Sequence, residues 1–330
     1  MGRIKLNLDS IAMMLFCARL KAYKEVPLSS DEWCLVERII KKKGLKGPAS
    51  LLSMNQTELE SILEINEFIA YKMAKRIETM NIFLSVLNNL EANGINVTTK
   101  YEEEFPDLLA KHLKKRAPLY LFYCGDIKII KEGISLLGLT KVTKKDRAYT
   151  KRIIDKVIED DLIYISNDAK GIDDVALHYA LYHGCNCVNF VCERMGAKHK
   201  DYTRYIKSGQ LVMLSVEDPN CYFDVTNAID RNSYVCALSK YQIVVSSSIN
   251  NGATWFTSLQ NLHNNWTTPL AIEGLYLGND RLLDMGVTPV YIKDILSDYS
   301  FDMIYDKNKK VIENAEINID QMSIFEFIGE

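Results

Sequence analysis

The feature that most constrains this chain is an alternation that begins near Ile134. Short apolar runs at 134–139, 162–166, 187–191, 211–216, 243–247 and 269–272 are separated by longer stretches, among them 147–158 and 173–182, in which apolar residues recur at helical spacing. Near-continuous apolar runs of this length are strands buried on both faces, and amphipathic stretches between them are the crossover helices that cover those faces. The expectation is an α/β fold with a doubly wound, mostly parallel sheet. In such sheets ligands sit beyond the carboxyl ends of the strands, where the connections reverse direction.

The flanking regions read differently. Residues 1–98 carry helix-period stretches at 11–20, 33–40, 59–65 and 70–90, with Ser29-Ser30-Asp31-Glu32 and Asn55-Gln56-Thr57-Glu58 supplying N-cap residues. They predict a small helical domain that ends at Glu91-Ala92-Asn93-Gly94. After Leu296 the periodicity fades, and 297–330 reads as a flexible tail. The expected division is therefore 1–98, 99–296 and 297–330.

Composition narrows the function classes. The 330 residues carry 40 Lys and Arg against 43 Asp and Glu, a net charge of -3, so any polyanion must be held by a local concentration of cations. The apolar run at 11–18 is too short to span a bilayer, and neither a signal peptide nor a membrane span is expected, which points to the cytoplasm. Eight cysteines are scattered, and the close pair Cys185 and Cys187 lacks the second pair that a tetrahedral zinc site requires. Buried thiols in a reducing compartment are expected, with no metal and no cofactor.

Polar segments at the strand ends are the candidate site. The first run ends at Gly138-Leu139-Thr140-Lys141-Val142-Thr143-Lys144-Lys145 and enters a basic helix; a Gly turn, hydroxyls, helix-start amides and cations are what a phosphate needs. No G-x-G-x-x-G or Walker spacing accompanies it. The second run ends at Ser166-Asn167-Asp168-Ala169-Lys170-Gly171, with Asp173 placed to cap the next helix and His178 read as a packed or half-buried histidine. Asn227 to Ser233, with Arg231 and Asn232, precedes a later strand, and Asn251, Gly252 and Thr254 follow it. None of these segments assembles a nucleophile, a base and an orienting group, so binding rather than catalysis is expected and no catalytic residue is assigned.

The order of these segments resembles the DprA/Smf family of bacterial DNA-processing proteins, which are Rossmann-like. The resemblance rests on Tyr101 to Pro106, on Pro118 to Asp126 with its Gly125-Asp126 turn, and on Gly138-Leu139-Thr140. It continues through Ala169-Lys170-Gly171-Ile172-Asp173, Arg231-Asn232, Gly252-Ala253-Thr254-Trp255 and Gly278-Asn279-Asp280-Arg281-Leu282-Leu283, together spanning about 95–292. Departures are evident. The family's Ser and Arg after the first Gly are Leu139 and Thr140 here, which leaves positive charge to Lys141, Lys144 or Lys145, and Asp168 adds a carboxylate. Glu64-Ile65-Asn66-Glu67 lacks the Gly of a helix-hairpin-helix turn, and the winged-helix end of some relatives is not recognisable. The resemblance implies single-stranded DNA binding, help in loading a RecA-type recombinase during DNA uptake, repair or recombination, and a homodimer.

Two further expectations stand apart. Gln321-Met322-Ser323-Ile324-Phe325 resembles the peptide by which replication and repair proteins dock on the sliding clamp, with Gln321, Ser323, Ile324 and Phe325 as contacts; folding of the same side chains onto the protein's own core is the alternative. The competing class is a nucleotide-binding sensor or nucleotide-processing enzyme on the same scaffold, with a role in phage defence. The stretch 250–258, which would correspond to the run bearing the carboxylate in cytokinin-type phosphoribohydrolases, contains no Glu.

Overall fold

A computed structural model describes residues 5–312. In chain order the elements are α1 (Leu8–Cys17), α2 (Ser30–Lys42), α3 (Gln56–Leu63), α4 (Glu67–Glu78), α5 (Met80–Ala92), β1 (Asn96–Thr99), α6 (Asp107–Leu113), β2 (Tyr120–Cys124) and β3 (Gly133–Leu137). There follow α7 (Lys144–Glu159), β4 (Ile163–Ser166), α8 (Ile172–Tyr182), β5 (Cys187–Phe190), α9 (Met195–Asp201), α10 (Thr203–Lys207), β6 (Leu211–Ser215), α11 (Val225–Leu238) and β7 (Ser239–Val244). The described residues close with α12 (Gly252–Asn264), β8 (Thr268–Ile272), α13 (Leu277–Asp284), β9 (Thr288–Val290), α14 (Ile292–Ile295) and α15 (Phe301–Ile312). The fold class is the expected one, α/β with a mostly parallel sheet of nine strands among the described residues. No helix among those residues is long and apolar enough to cross a membrane.

The chain divides into two compact units, one of 1–130 with 188–231 and one of 131–187 with 232–330. This differs from the expected division, because the N-terminal helices do not stand alone. Helix α1 is apolar almost all round, with Ala12 to Phe16 completely buried, so it needs cover on every side. Part of that cover is β1, where the Ser10 and Thr99 hydroxyls hydrogen-bond at 2.7 Å. In the same unit β1 and β6 both pair antiparallel with β2. Two helix starts anticipated from sequence are capping boxes, Ser29 with Glu32 on α2 and Asn55 with Glu58 on α3. Glu64 adopts the left-handed backbone (φ 53°) that a turn Gly would otherwise supply, and the Asn66 side chain caps α4. Arg76 is fully buried and donates to the Ala18 and Glu25 carbonyls at 2.7 and 3.0 Å, its guanidinium over the Tyr23 ring.

The second unit holds the parallel ladder. Strand β3 pairs with β4 on one side and β7 on the other, and β7, β8 and β9 continue outward, all parallel. Leu137, Val244, Trp255, Ala271, Leu282 and Val287 form a buried cluster against this ladder. The described part of the expected tail is not loose chain. Helix α15 buries Phe301, Ile304 and Asn308, the Lys156 ammonium donates to the Ser297 and Tyr299 carbonyls, and Asn308 Nδ2 bonds Pro289 O and Asp294 Oδ2. Polar side chains alternating with apolar ones hid a helix that is amphipathic and docked. Gln321, Ser323, Ile324 and Phe325 lie outside the described residues.

Candidate functional site

Because β4, β3 and β7 are adjacent and parallel, the loops that leave their carboxyl ends lie at one edge of the second unit. Those loops are 138–143, 167–171 and 245–251. Three close contacts lock them together. A Cβ on Gly138 would lie 2.2 Å from the Ile172 side chain and 3.0 Å from Ser246 Oγ, and one on Gly171 would lie 2.3 Å from Leu139 O and 2.5 Å from Thr140 Cα. The third is polar: Leu139 N donates to Ser246 Oγ at 2.9 Å, and Thr254 Oγ1 donates to Gly138 O at the same distance. Both glycines therefore serve packing of loop on loop, and Gly171 also needs its positive φ of 96°.

The sequence-derived site residues separate into two sets. Thr140, Lys141, Lys144, Lys145, Lys170, Asn251 and Gly252 are exposed around these loops. Of these, Gly252 (φ 82°) has open space where a side chain would stand, and Asn251 precedes α12 without capping it through its side chain, so the first amides of that 13-residue helix have no side-chain acceptor from Asn251.

The second set is committed to partners within the protein, with Ser166, Arg231, Asn232 and Thr254 buried and Thr143 exposed, which differs from the phosphate-contact role expected for its members. Thr143 is the N-cap of α7: its hydroxyl donates to Asp146 Oδ2 at 2.7 Å and accepts from Asp146 N at 3.1 Å. Ser166 is fully buried, donating to Asp173 Oδ2 at 2.9 Å and accepting from Asp168 N. Asn232 is buried between Asn167 Nδ2 at 3.3 Å and Thr257 Oγ1 at 2.8 Å. Thr254 is spent on Gly138 as above. Arg231 lies in the first unit, 7% exposed, with Nη1 3.3 Å from Cys192 Sγ. Its segment, expected as a loop before a strand, is the interior of α11; Asn, Asp and Ser are weak helix formers, and tertiary packing overrides that preference.

Asp173 is not the helix cap expected of it: Gly171 precedes α8, and no side chain caps that helix. Buried at the start of α8, Asp173 accepts from the Tyr164 hydroxyl at 2.5 Å, the Ser166 hydroxyl at 2.9 Å, and the amides of Asn167 and Ala169 at 3.3 and 2.9 Å. One carboxylate thus shapes the whole 166–169 turn that presents Lys170. Burial pushes its carboxyl up to about 6, against the opposing donors Tyr164, Ala169 and Ser166. Sequence spacing showed an acid two residues into a helix but could not show that the preceding turn folds back on it. His178 is exposed rather than packed, with Nδ1 3.2 Å from Asp174.

A family model for DNA recombination-mediator protein A matches residues 96–299. Among solved structures, the chain is similar to DNA processing protein A of Streptococcus pneumoniae at a TM-score of 0.65 and 19% identity, over 84% of this chain and 96% of that one. It is also similar to DNA processing protein A of Helicobacter pylori, whose structure describes a single-stranded DNA binding mode, at a TM-score of 0.52 and 15% identity over 68% and 99%. No curated protein matches the sequence.

Proposed function

Since this chain belongs to the DNA recombination-mediator protein A family, we propose that it binds single-stranded DNA at the carboxyl edge of β4, β3 and β7. The observation that carries this reading is the separation just described: an inward set of hydrogen bonds fixes the loops, and the side chains left at the rim are cations, a hydroxyl and helix-start amides. Lys141, Lys170 and the amides at Asn251 and Gly252 would engage successive phosphates, with Lys144 and Lys145 adding charge. Arg231, buried against Cys192, is assigned to holding α11 rather than to a phosphate. Binding needs no bond to break, and the reading includes no catalytic step and no cofactor.

The partners proposed for this activity are a RecA-type recombinase, loaded onto the bound strand, and a second copy of the chain. Fluorescence titration with oligothymidylate at low salt is the test. Lys170→Ala should lower affinity several-fold and flatten the log Kd against log salt slope by about 0.7, and wild-type protein that binds no oligonucleotide at low salt sinks the reading. Faster recombinase assembly on protein-bound DNA tests the loading step. Deletion of 321–327 followed by co-elution with the sliding clamp tests the tail.

A nucleotide sensor remains the second reading, favoured by one observation: the start of α12 has no side-chain cap and has open space at Gly252, which suits a single terminal phosphate. Incubation with nucleoside monophosphates or NAD, followed by chromatography and a binding titration, separates the two.

A further inference from the structure

Helix α7 buries Thr150, Ile153, Ile154 and Val157. Its outward side carries Lys144, Lys145, Arg147, Lys151 and Arg152. Arg152 is taken by Glu159 at 2.5 Å. Among the described residues none of Lys144, Lys145, Arg147 and Lys151 is in an ion pair.

These cations are interleaved with rings. Lys151 Nζ lies 5.1 Å from the centroid of Tyr179 on α8, whereas Lys145, with Nζ 5.8 Å from the Tyr149 centroid, sits about 120° around α7 from Lys151 and marks the far flank of the helix. Tyr179 is 4.1 Å from His183, and His183 is 5.1 Å from Tyr182, a tyrosine that is 80% exposed. The acids on this face are occupied: Asp155 accepts the Tyr179 hydroxyl at 2.9 Å, and Asp174 is beside His178. From Lys144 down to the level of Tyr179 the stripe runs about 15 Å at the helical rise, and it starts where the 138–143 loop ends.

Resting on the reading above, we propose that the α7–α8 face is a second contact for the same single strand, taking nucleotides that have left the strand-end loops. Lysines alone would suit any polyanion. Aromatic faces beside them suit unstacked bases, because every base offers a π-face to a ring while its phosphate meets the neighbouring ammonium. Duplex DNA hides those faces, so the chemistry selects single strands. A second copy of this chain, the other occupant an exposed tyrosine could serve, would bring the same positive charge to the stripe.

The test uses the full chain and labelled oligothymidylates of about six and about twenty nucleotides, the shorter sized for the loops and the longer for loops plus stripe. Tyr182→Ala and Lys151→Gln alter exposed side chains. Each should weaken the longer oligonucleotide about five- to tenfold and leave the shorter unchanged, and Lys151→Gln should reduce the salt slope for the longer one by about 0.7. Unchanged binding of the longer strand overturns the proposal, as does equal weakening of both lengths. So does a Tyr182→Ala protein that sediments as a smaller species while its DNA affinity stays the same, which would make the face an interface between copies. Loss of binding to the short oligonucleotide alone, in the wild type, instead removes the strand-end site and leaves the stripe standing.

Discussion

At the scale of single residues, the second unit concentrates its specificity in Asp173, Gly171 and Thr143. Asp173 has its carboxyl pushed up from 3.8 to about 6 by burial, so the folded chain holds a proton there more readily than the unfolded chain does. The contribution of this group to stability is therefore most favourable below about pH 4 and is lost as pH rises through 6, a difference on the order of 2–3 kcal/mol. Urea unfolding at pH 4.5 and 7.5 should show a smaller pH dependence in Asp173→Asn than in the wild type; identical pH trends would contradict the assignment. Tyr164, Asp168 and Cys187 are the titratable neighbours that share this field. Gly171→Ala places a methyl 2.3 Å from a backbone oxygen and should cost about 2–4 kcal/mol, with single-strand binding lost alongside. For Thr143→Ala the expectation is the reverse pairing: about 1 kcal/mol of stability lost with the capping box, and DNA affinity unchanged once unfolded protein is allowed for.

Among the elements, α15 and α11 departed furthest from expectation, and each for a physical reason. Helix α15 has one buried stripe, Phe301, Ile304 and Asn308, and exposed acids and lysines elsewhere. Its anchoring is long-range: Phe301 N donates to Asp160 at 2.8 Å, Tyr241 Oη to Asp302 at 2.7 Å, and Lys307 pairs with Asp294 at 2.6 Å. Phe301→Ala should lower stability by about 3–5 kcal/mol, read as a reduced urea midpoint with unchanged slope. A shift under 0.5 kcal/mol would mean that the helix is not docked in solution. Helix α11 is built from residues that favour turns in isolation, and its interior position for Arg231 turns an expected ligand contact into a buried support.

For the molecule as a whole, the net charge of -3 sets a constraint on how DNA is held. Attraction must arise within a Debye length of the local cations, about 10 Å at 0.1 M salt, and the rest of the surface opposes it weakly. If about three phosphates are engaged, a fourfold dilution of salt should tighten binding roughly twentyfold. A salt-independent Kd would place the binding energy in stacking alone. Lys151, Lys170 and Lys141 act in this field together, so their substitutions should add in slope while remaining separable by oligonucleotide length.

What the amino-acid pattern determined by itself was the framework: the apolar runs at 134–139 and 162–166 coincide closely with β3 and β4, while the run at 243–247 meets only the last two residues of β7, which begins earlier at Ser239, and the capping boxes at Ser29 and Asn55 lie where polar residues precede apolar periodicity. Hydrophobic period and local hydrogen-bonding chemistry act over a few residues, and a linear sequence displays both. Which polar strand-end side chains face solvent was decided by tertiary structure. Thr254 meets Gly138 across 116 positions, Asn232 meets Asn167 across 65, and Ser10 meets Thr99 across 89. A serine or threonine after a strand looks the same in sequence whether its hydroxyl faces a ligand or a distant carbonyl; only the approach of a second loop, paid for by burial elsewhere, makes the choice.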